Sequence, residues 1–499
     1  GIQYLGGDPF WAKYLQLAVG VLNAWLLFIL GRRYFDSRVG LLAGLLWSLY
    51  PAALMHEVLL LKPTLTVLFC LLAMTAAAHP NGARPWRWAL AGLALGLASL
   101  LRGEMILVSL MMAGGALLAR WRGWKGAPSL AAPALMIVVL AAVLAVPTIQ
   151  NLQHCGQPVV VAYGGGTNFF LGNQPDADGS YLPLRHDRSD ILFEEHDAVT
   201  MARQESGKHM GPMAVSRFWY GKGLRRWQND PLGAIILTLK KTALCWGRWE
   251  GYDVLSLPLA ARWVMPLNNP VIRPMFLMPL ALVGIFVFRR RRELWPLWSF
   301  LLACTLSLSF FFIFERFRLP LTAVATIFTG ALLIAAVDAW QSGHKQNLLK
   351  GMGLATVAVA LLAWPSVYRN DLVLHVNVGN MFMAQQRYEE ALIEYRTVQR
   401  LSPSSGRVLI NIANAQFALG RLNEALHSLD GALNFLGYEA RNSGRESTEE
   451  VLYCLEKSGD IAAKLGQNDK ALKRYQTGLG INPASPSLSA KVRALERSQ

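Results

Sequence analysis

Ten runs of apolar residues, each almost free of charge, constrain this chain more than any other feature. They are Leu15–Leu30, Val39–Leu54, Pro63–Ala78, Trp88–Leu101, Met105–Leu118, Leu130–Val146, Phe276–Phe288, Leu294–Phe314, Leu319–Val337 and Leu349–Trp364. A helix needs about 20 mostly apolar residues to cross roughly 30 Å of hydrocarbon. It also satisfies its own backbone groups in lipid. With 53% of its 499 residues hydrophobic and 16% charged, the chain is too apolar for a water-soluble protein of this length. The runs predict a polytopic transmembrane helical domain.

The net charge of +16 invites a nucleic-acid reading, which the placement of the charge removes. Arg32, Arg33 and Arg38, then Arg84 and Arg87, then Arg120, Arg122 and Lys125, then Arg289 to Arg292, then Lys345 and Lys350 fall in one set of alternate loops. The other short loops hold only Lys62, Arg102, Arg316 and Arg318. That asymmetry is the positive-inside pattern, so the first set is expected in the cytoplasm and no nucleic-acid partner is implied. Residues 1–12, His56–Lys62, Arg102–Glu104, the long segment 150–274 and Glu315–Arg318 are then outside, as is everything after Tyr368.

After Arg369 the composition turns polar and a repeat begins. Asn377-Val378-Gly379-Asn380 and Tyr388-Glu389-Glu390-Ala391 match Asn411-Ile412-Ala413-Asn414 and Leu422-Asn423-Glu424-Ala425 at a spacing of 34 residues. A third copy around Lys464 to Ala471 follows with about twelve extra residues. Ser402-Pro403 and Asn482-Pro483 close the first and third copies. Period and pattern are those of tetratricopeptide repeats. The expected fold is therefore all-α: a transmembrane domain over 1–370 and a tetratricopeptide α-solenoid over 371–499 that could dock a protein partner.

Three outer stretches carry ionisable groups at helix ends, where such groups are costly and mark substrate paths. The first is His56-Glu57 with Lys62; Leu60 stands where a metalloprotease would need its second histidine. The second is Arg102-Gly103-Glu104, and the third is Glu315-Arg316-Phe317-Arg318, whose guanidinium forks suit phosphate oxygens. Plainer readings stand beside these: Glu57 and Lys62 as a structural pair, and Arg102 snorkelling at a helix end. His186, Asp187, Asp190, Glu194, Glu195, His196 and Asp197 are dense enough to suggest a divalent metal, the one cofactor the pattern leaves open, although such clusters are usually solvated surface. Gln174 to Ser180 mimics a calcium loop, but Arg185 stands where the bidentate acid belongs. The glycines Gly164 to Gly166 read as a turn, since no Gly-Lys-Ser/Thr follows. Trp246, Trp249, Tyr252 and Trp263 read as an interfacial aromatic belt. Cys155 and Cys245 could pair, which the sequence leaves open.

Together these residues resemble a family. The run from Leu30-Gly31-Arg32-Arg33 through Leu49-Tyr50-Pro51 to Glu57 and Lys62 looks like the early helices of class C glycosyltransferases, the lipid-sugar-dependent enzymes typified by protein O-mannosyltransferases and aminoarabinose transferases. Arg316-Phe317-Arg318-Leu319-Pro320 resembles the Arg-Tyr-Arg-Leu-Pro motif of their bacterial members, and so does the stretch Gly164 to Gly179. The resemblance runs over about residues 8–340, and members of the family carry appended tetratricopeptide repeats.

It implies an inverting transfer of a sugar from a polyprenyl-phosphate carrier at the outer face of a bacterial inner membrane. Glu57 would then be the second acidic position, with Arg316, Arg318, Arg102 and Lys62 on the donor phosphate. Asn168, Asn173, Asp176 and Asp178 would lie on the substrate loop. Lys62 departs from the pattern in being followed by Pro63, where relatives usually have an acid. The family's principal acid follows the first spanning helix; this chain opens at Gly1 without a signal peptide and reads as beginning after that point, which leaves Asp8 as the acid upstream of its first run. The fragment would then lack its principal catalytic acid. The alternative is a non-catalytic envelope scaffold that recruits partners through its repeats. A transporter would instead show duplicated halves and mid-membrane ionisable groups, and the sequence has neither.

Overall fold

A computed structural model describes residues 9–497 except 78–83, 163, 185–190, 249–256, 263, 344, 364–370, 402, 404 and 444–447. No strand occurs among the described residues. The chain divides into two compact units, Gly1–Tyr368 and Arg369–Gln499.

In the first unit each predicted run falls largely on helix among the described residues. The helices are α1 (Pro9–Tyr34), α2 (Ser37–Ser48), α3 (Pro51–Val58), α4 (Pro63–Ala77), α5 (Pro85–Leu101), α6 (Met105–Trp121) and α7 (Ala131–Cys155). Then come α8 (Gly165–Asn173), α9 (Ile191–Ser206), α10 (Pro212–Asn229), α11 (Pro231–Trp246) and α12 (Leu257–Ala260). The unit closes with α13 (Pro274–Val287), α14 (Trp295–Phe310), α15 (Glu315–Gln341) and α16 (Lys345–Ala363). It is a multi-pass membrane protein, but its ten runs are unequal. Among the described residues four helices are long and apolar enough to cross alone, within α1, α7, the continuous stretch Arg292–Phe310 that contains α14, and α15, and α2 with α3 makes a fifth span if its 57° bend is counted through. α4, α5, α6 and α13 are shorter; a 15-residue helix such as α4 is only about 23 Å long at 1.5 Å per residue.

The bend follows from Pro51, which lacks an N–H and holds Tyr50 out of the helical region at φ −74°, ψ 114°. Several helix ends and loops are tied together at each end of the bundle. At one end Arg33 donates to the Thr75 carbonyl at 2.7 Å, Arg38 pairs with Asp338 at 2.7 Å, and Arg291 donates to the Tyr34 carbonyl at 2.7 Å. At the other, Gln16 donates to the His56 carbonyl at 2.5 Å and Arg102 to the Arg316 carbonyl at 3.1 Å. Buried hydroxyls inside the bundle return to their own helices, as Ser99 to Leu95 at 2.7 Å and Ser109 to Met105 at 2.9 Å. Cys70, Cys245, Cys304 and Cys454 are buried free thiols, so Cys245 does not make the pairing with Cys155 that the sequence left open.

The second unit is the tetratricopeptide solenoid. Its helices are α17 (Asp371–Ala384), α18 (Tyr388–Leu401), α19 (Gly406–Ala418), α20 (Leu422–Ser443), α21 (Thr448–Lys464), α22 (Asn468–Ile481) and α23 (Pro486–Glu496). They pack in consecutive pairs, α17 with α18, α19 with α20, α21 with α22, and α23 covers α22. In the first and third pairs a tyrosine lies on a glycine: Tyr395 on Gly379 and Tyr475 on Gly459, where a Cβ would strike the ring. Each hydroxyl bonds the residue after its glycine, Tyr395 to Asn380 and Tyr475 to Asp460, both at 2.7 Å. The second pair has Ala413 and Leu429 at the matching positions. A smaller side chain on one helix is matched by a larger residue on the other, which keeps the helices at similar spacing.

Candidate active site

The site is built where α3, the α5–α6 turn and the start of α15 meet. α14 ends at Phe310, and a short link carries Phe311, Phe312, Ile313 and Phe314 to Glu315. Phe314 is extended at φ −107°, ψ 153°, so α15 starts abruptly with Arg316 and Phe317 in its first turn. Two cations meet on one ring: Arg102 lies 3.8 Å and Arg316 5.0 Å from the Phe317 centroid, and Arg316 also faces Phe314 at 5.2 Å. Arg102 is 8% exposed and paired with Glu104, so it is held inside rather than snorkelling. Two guanidiniums gathered at a bundle end form a surface suited to an anion.

The Gly164 to Gly179 stretch positions this link. Gly164 caps α8, Gly165 and Gly166 form its first turn, and the backbone of Ser216 occupies the space a side chain on Gly166 would need. The glycines thus begin a helix and let α10 approach; they are not the turn expected. Gly172 leaves room for the Phe311 carbonyl, Asn173 donates to the Phe310 carbonyl at 2.8 Å, and the Ile313 N–H donates to Gly179 at 3.0 Å. The two motifs that lie far apart in sequence therefore meet, the first fixing the link that presents the second.

The sequence-derived residues make different local contacts. Glu57, 9% exposed, lies with its carboxylate against Gly20 of α1, where a Cβ would collide with it. Its neighbour His56 is within electrostatic range of Arg316. Lys62 is exposed, and no ion pair joins it to Glu57 among the described residues, so the structural pair is not formed. Arg318, 1% exposed, donates to the Gly247 carbonyl at 3.2 Å and reaches the Leu244 carbonyl at 3.4 Å. Asn168 is exposed and lines a cavity; Asn173 is buried on backbone carbonyls; Asp176 is exposed. Asp178 accepts from the Ser180 N–H at 2.9 Å and from its hydroxyl at 2.7 Å, which shapes the loop. Asp8 lies outside the described residues.

No group of three or more metal-ligating side chains converges among the described residues, and His186, Asp187 and Asp190 lie outside them. Trp246 is buried and donates to Thr305 at 3.0 Å, so it packs on α14 rather than joining an interfacial belt; Trp249, Tyr252 and Trp263 lie outside the described residues.

Two further groups lie near the link: a Tyr181–Glu194 pair, of which the sequence marks Glu194 only as a candidate metal ligand, and Lys241. Tyr181 packs on Phe312 at 5.2 Å and Phe314 at 5.4 Å and donates to Glu194 at 3.0 Å. Burial raises the Glu194 carboxyl above the usual range, against the opposing effects of the Tyr181 hydrogen bond and the Arg316 charge. Glu194 was hidden in the sequence by the acidic residues around it. Lys241 on α11 is fully buried, 3.4 Å from the Asn173 amide oxygen.

Residues 1–149 match the family model of the dolichyl-phosphate-mannose-protein mannosyltransferases. The matched part includes α1 to α6, Glu57 and Arg102; the stretches Gly164–Gly179 and Arg316–Pro320 lie beyond it. No curated protein matches the chain. Among solved structures, the crystal structure of yeast Tom70 aligns over 97% of this chain and 95% of its own at 12% identity and a TM-score of 0.17, too low to carry any argument.

Proposed function

We propose that the membrane unit transfers a sugar from a polyprenyl-phosphate carrier to a hydroxyl acceptor, at the bundle end that holds Arg102 and Arg316. The family match supports a glycosyltransferase, and the positive-inside pattern supports reading this end as the outer face of a bacterial cytoplasmic membrane. The observation that carries the reading is the convergence of two guanidiniums on the Phe317 ring beside the bundle's apolar helices.

As the bond between the sugar's anomeric carbon and the phosphate oxygen breaks, the electron pair leaves with the phosphate. Arg102 and Arg316 stabilise that charge, and Lys62 on the neighbouring exposed loop assists. The acceptor hydroxyl gives its proton to a carboxylate as its oxygen bonds the anomeric carbon; Glu57 is the acid on this chain assigned to the reacting end. Asn173 and Asp178 act through the loop they shape, Asn168 faces the acceptor side, Asp176 borders the loop, and Arg318 fixes the turn after α11. The repeat unit serves as an extracytoplasmic docking module for a protein partner.

Membranes carrying Arg316→Ala should lose sugar transfer from a polyprenyl carrier by about a hundredfold or more per amount of protein. Lysine should restore only part, because it keeps the charge and loses the planar fork. Turnover near normal in the alanine variant would remove Arg316 from the donor site.

A further inference from the structure

A cavity of about 510 Å³ opens among α7, α8, α9 and α10, a volume in the range of small-ligand sites. Its polar lining is Asn151, Gln157, Thr167, Asn168, Glu194 and Glu195, and its walls include Val161 and Val199. Among the described lining residues there is no lysine or arginine. Part of the polar lining is already fixed: Asn151 donates to the Val159 carbonyl at 2.7 Å, and the Gln157 amide oxygen accepts from the Met213 N–H at 3.1 Å. Those bonds set the orientation of both amides and leave the Asn151 oxygen and the Gln157 nitrogen as the remaining polar ends. The cavity is also tied to the proposed donor side. Glu194 lines it, holds Tyr181, and feels the charge of Arg316, while Tyr181 packs on the aromatic link that leads into α15.

We propose that this cavity is the acceptor site and takes a sugar without acidic groups, whose reacting hydroxyl is held toward the Arg316 side by Glu194. The inference rests on the glycosyltransferase reading and deepens it by assigning the class of acceptor. The chemistry of the lining selects that class. A carboxylate accepts from two adjacent hydroxyls, the Asn151 oxygen accepts and the Gln157 nitrogen donates, a mixed pattern that vicinal hydroxyls match. An acidic or phosphorylated acceptor would bring an anion against Glu194 and Glu195, with no cation among the described lining residues to offset its desolvation.

The test uses the full chain in detergent, with saturation-transfer NMR of N,N′-diacetylchitobiose as the neutral probe and glucuronic acid as the anionic one. The neutral sugar should give transfer signals and the acid should not. Glu194→Gln, nearly the same shape, should weaken binding about tenfold or more through loss of a charged hydrogen-bond acceptor. Ala198→Trp should fill the cavity and abolish it. Preferential binding of glucuronic acid, displacement of the sugar by a neutral serine-rich peptide, or sugar signals that survive both Glu194→Gln and Ala198→Trp would overturn the proposal. Sugar transfer that proceeds while the cavity variants leave it untouched would defeat this inference alone. Cavity-dependent sugar binding with no transfer by the unsubstituted chain would instead defeat the glycosyltransferase reading.

Discussion

The two units are built from the same element and turned inside out relative to each other. In the membrane unit large apolar side chains such as Trp25, Leu41 and Val138 face outward, while Asn23, Ser99, Thr322 and Arg318 are buried. In the repeat unit Ala391, Leu392 and Tyr395 are buried, and charged side chains join neighbouring helices, as Arg421 with Glu389 and Lys491 with Glu456. One set of helices is solvated by hydrocarbon and the other by water. Exposure has no fixed meaning until the solvent is named, and the sequence names it through charge spacing.

Two residues put that contrast to its most severe test. Val138, midway along its apolar run, and Ile393 on α18 are each 62% exposed. An aspartate at the centre of a membrane helix costs about 2.5–3.5 kcal/mol in insertion, whereas a surface substitution in water usually stays within about 0.5 kcal/mol. Val138→Asp should therefore sharply reduce the inserted fraction, and Ile393→Asp should barely change protection of the repeat unit from hydrogen exchange. Equal tolerance at both positions would break the comparison.

A second contrast concerns two lysines. Burial, with Arg226 adding, pushes Lys241 down to about 7, while an unperturbed lysine stays protonated to about 10.4. Between those values the unfolded chain binds the proton and the folded chain does not, so the stability of this region should rise with pH across that window. Lys491 moves the other way: burial lowers it, but Asp460 and Glu456 outweigh the burial and raise it. Its contribution is present below the unfolded value and is lost as pH rises through the folded one. Cys245 on α11 and Cys454 on α21 are buried reporters of the two regions. Thiol labelling corrected for thiolate fraction should slow at Cys245 and quicken at Cys454 toward pH 10, and Lys241→Met should remove the Cys245 trend.

The repeat unit also contains a packing comparison. Gly379→Ala puts a methyl group into the Tyr395 ring and should cost about 1–3 kcal/mol, the range for overpacking. Adding Tyr395→Leu reproduces the Ala413 and Leu429 pair of the second copy, so the double variant should be more stable than the two single effects summed. Additivity, measured by hydrogen exchange of α17 and α18 in the full chain, would show that the ring and the glycine are not matched to each other.

These contrasts also show what a sequence exposes. The apolar runs, the alternating arginines and the 34-residue period are local or periodic, so they mark ten helices and a solenoid without any knowledge of packing. The bend between α2 and α3 was not marked as a break, although Pro51 carried the signal. At the site, Arg316 stood out as a cation in a loop that should have few. Arg318 looked equivalent, because a helix start two residues away turns it toward Gly247 only in three dimensions. Tyr181 and Glu194 come together only when the loop after α8 and the start of α9 meet the aromatic link. Long-range pairings of that kind leave no period to read.

The smallest expected effect isolates the backbone. Within each repeat the turn between the paired helices passes through the left-handed region: Gln386 at φ 60°, Gly420 at 75° and Gly466 at 71°. The later two copies use glycine, which adopts that conformation without penalty, whereas a residue with a Cβ pays roughly 1–2 kcal/mol for it. Glycine also makes the unfolded chain more flexible, by roughly 0.4–1 kcal/mol. Gly466→Ala should therefore lose about 1 kcal/mol, and Gln386→Gly should gain a few tenths, because relief of strain is mostly offset by unfolded-state entropy. Hydrogen exchange of α17 and α18 against α21 and α22 reads both changes in one molecule. If Gln386→Gly instead destabilises its pair by about 1 kcal/mol or more, the Gln386 side chain makes contacts that outweigh its strained backbone. The first turn would then differ in kind from the other two.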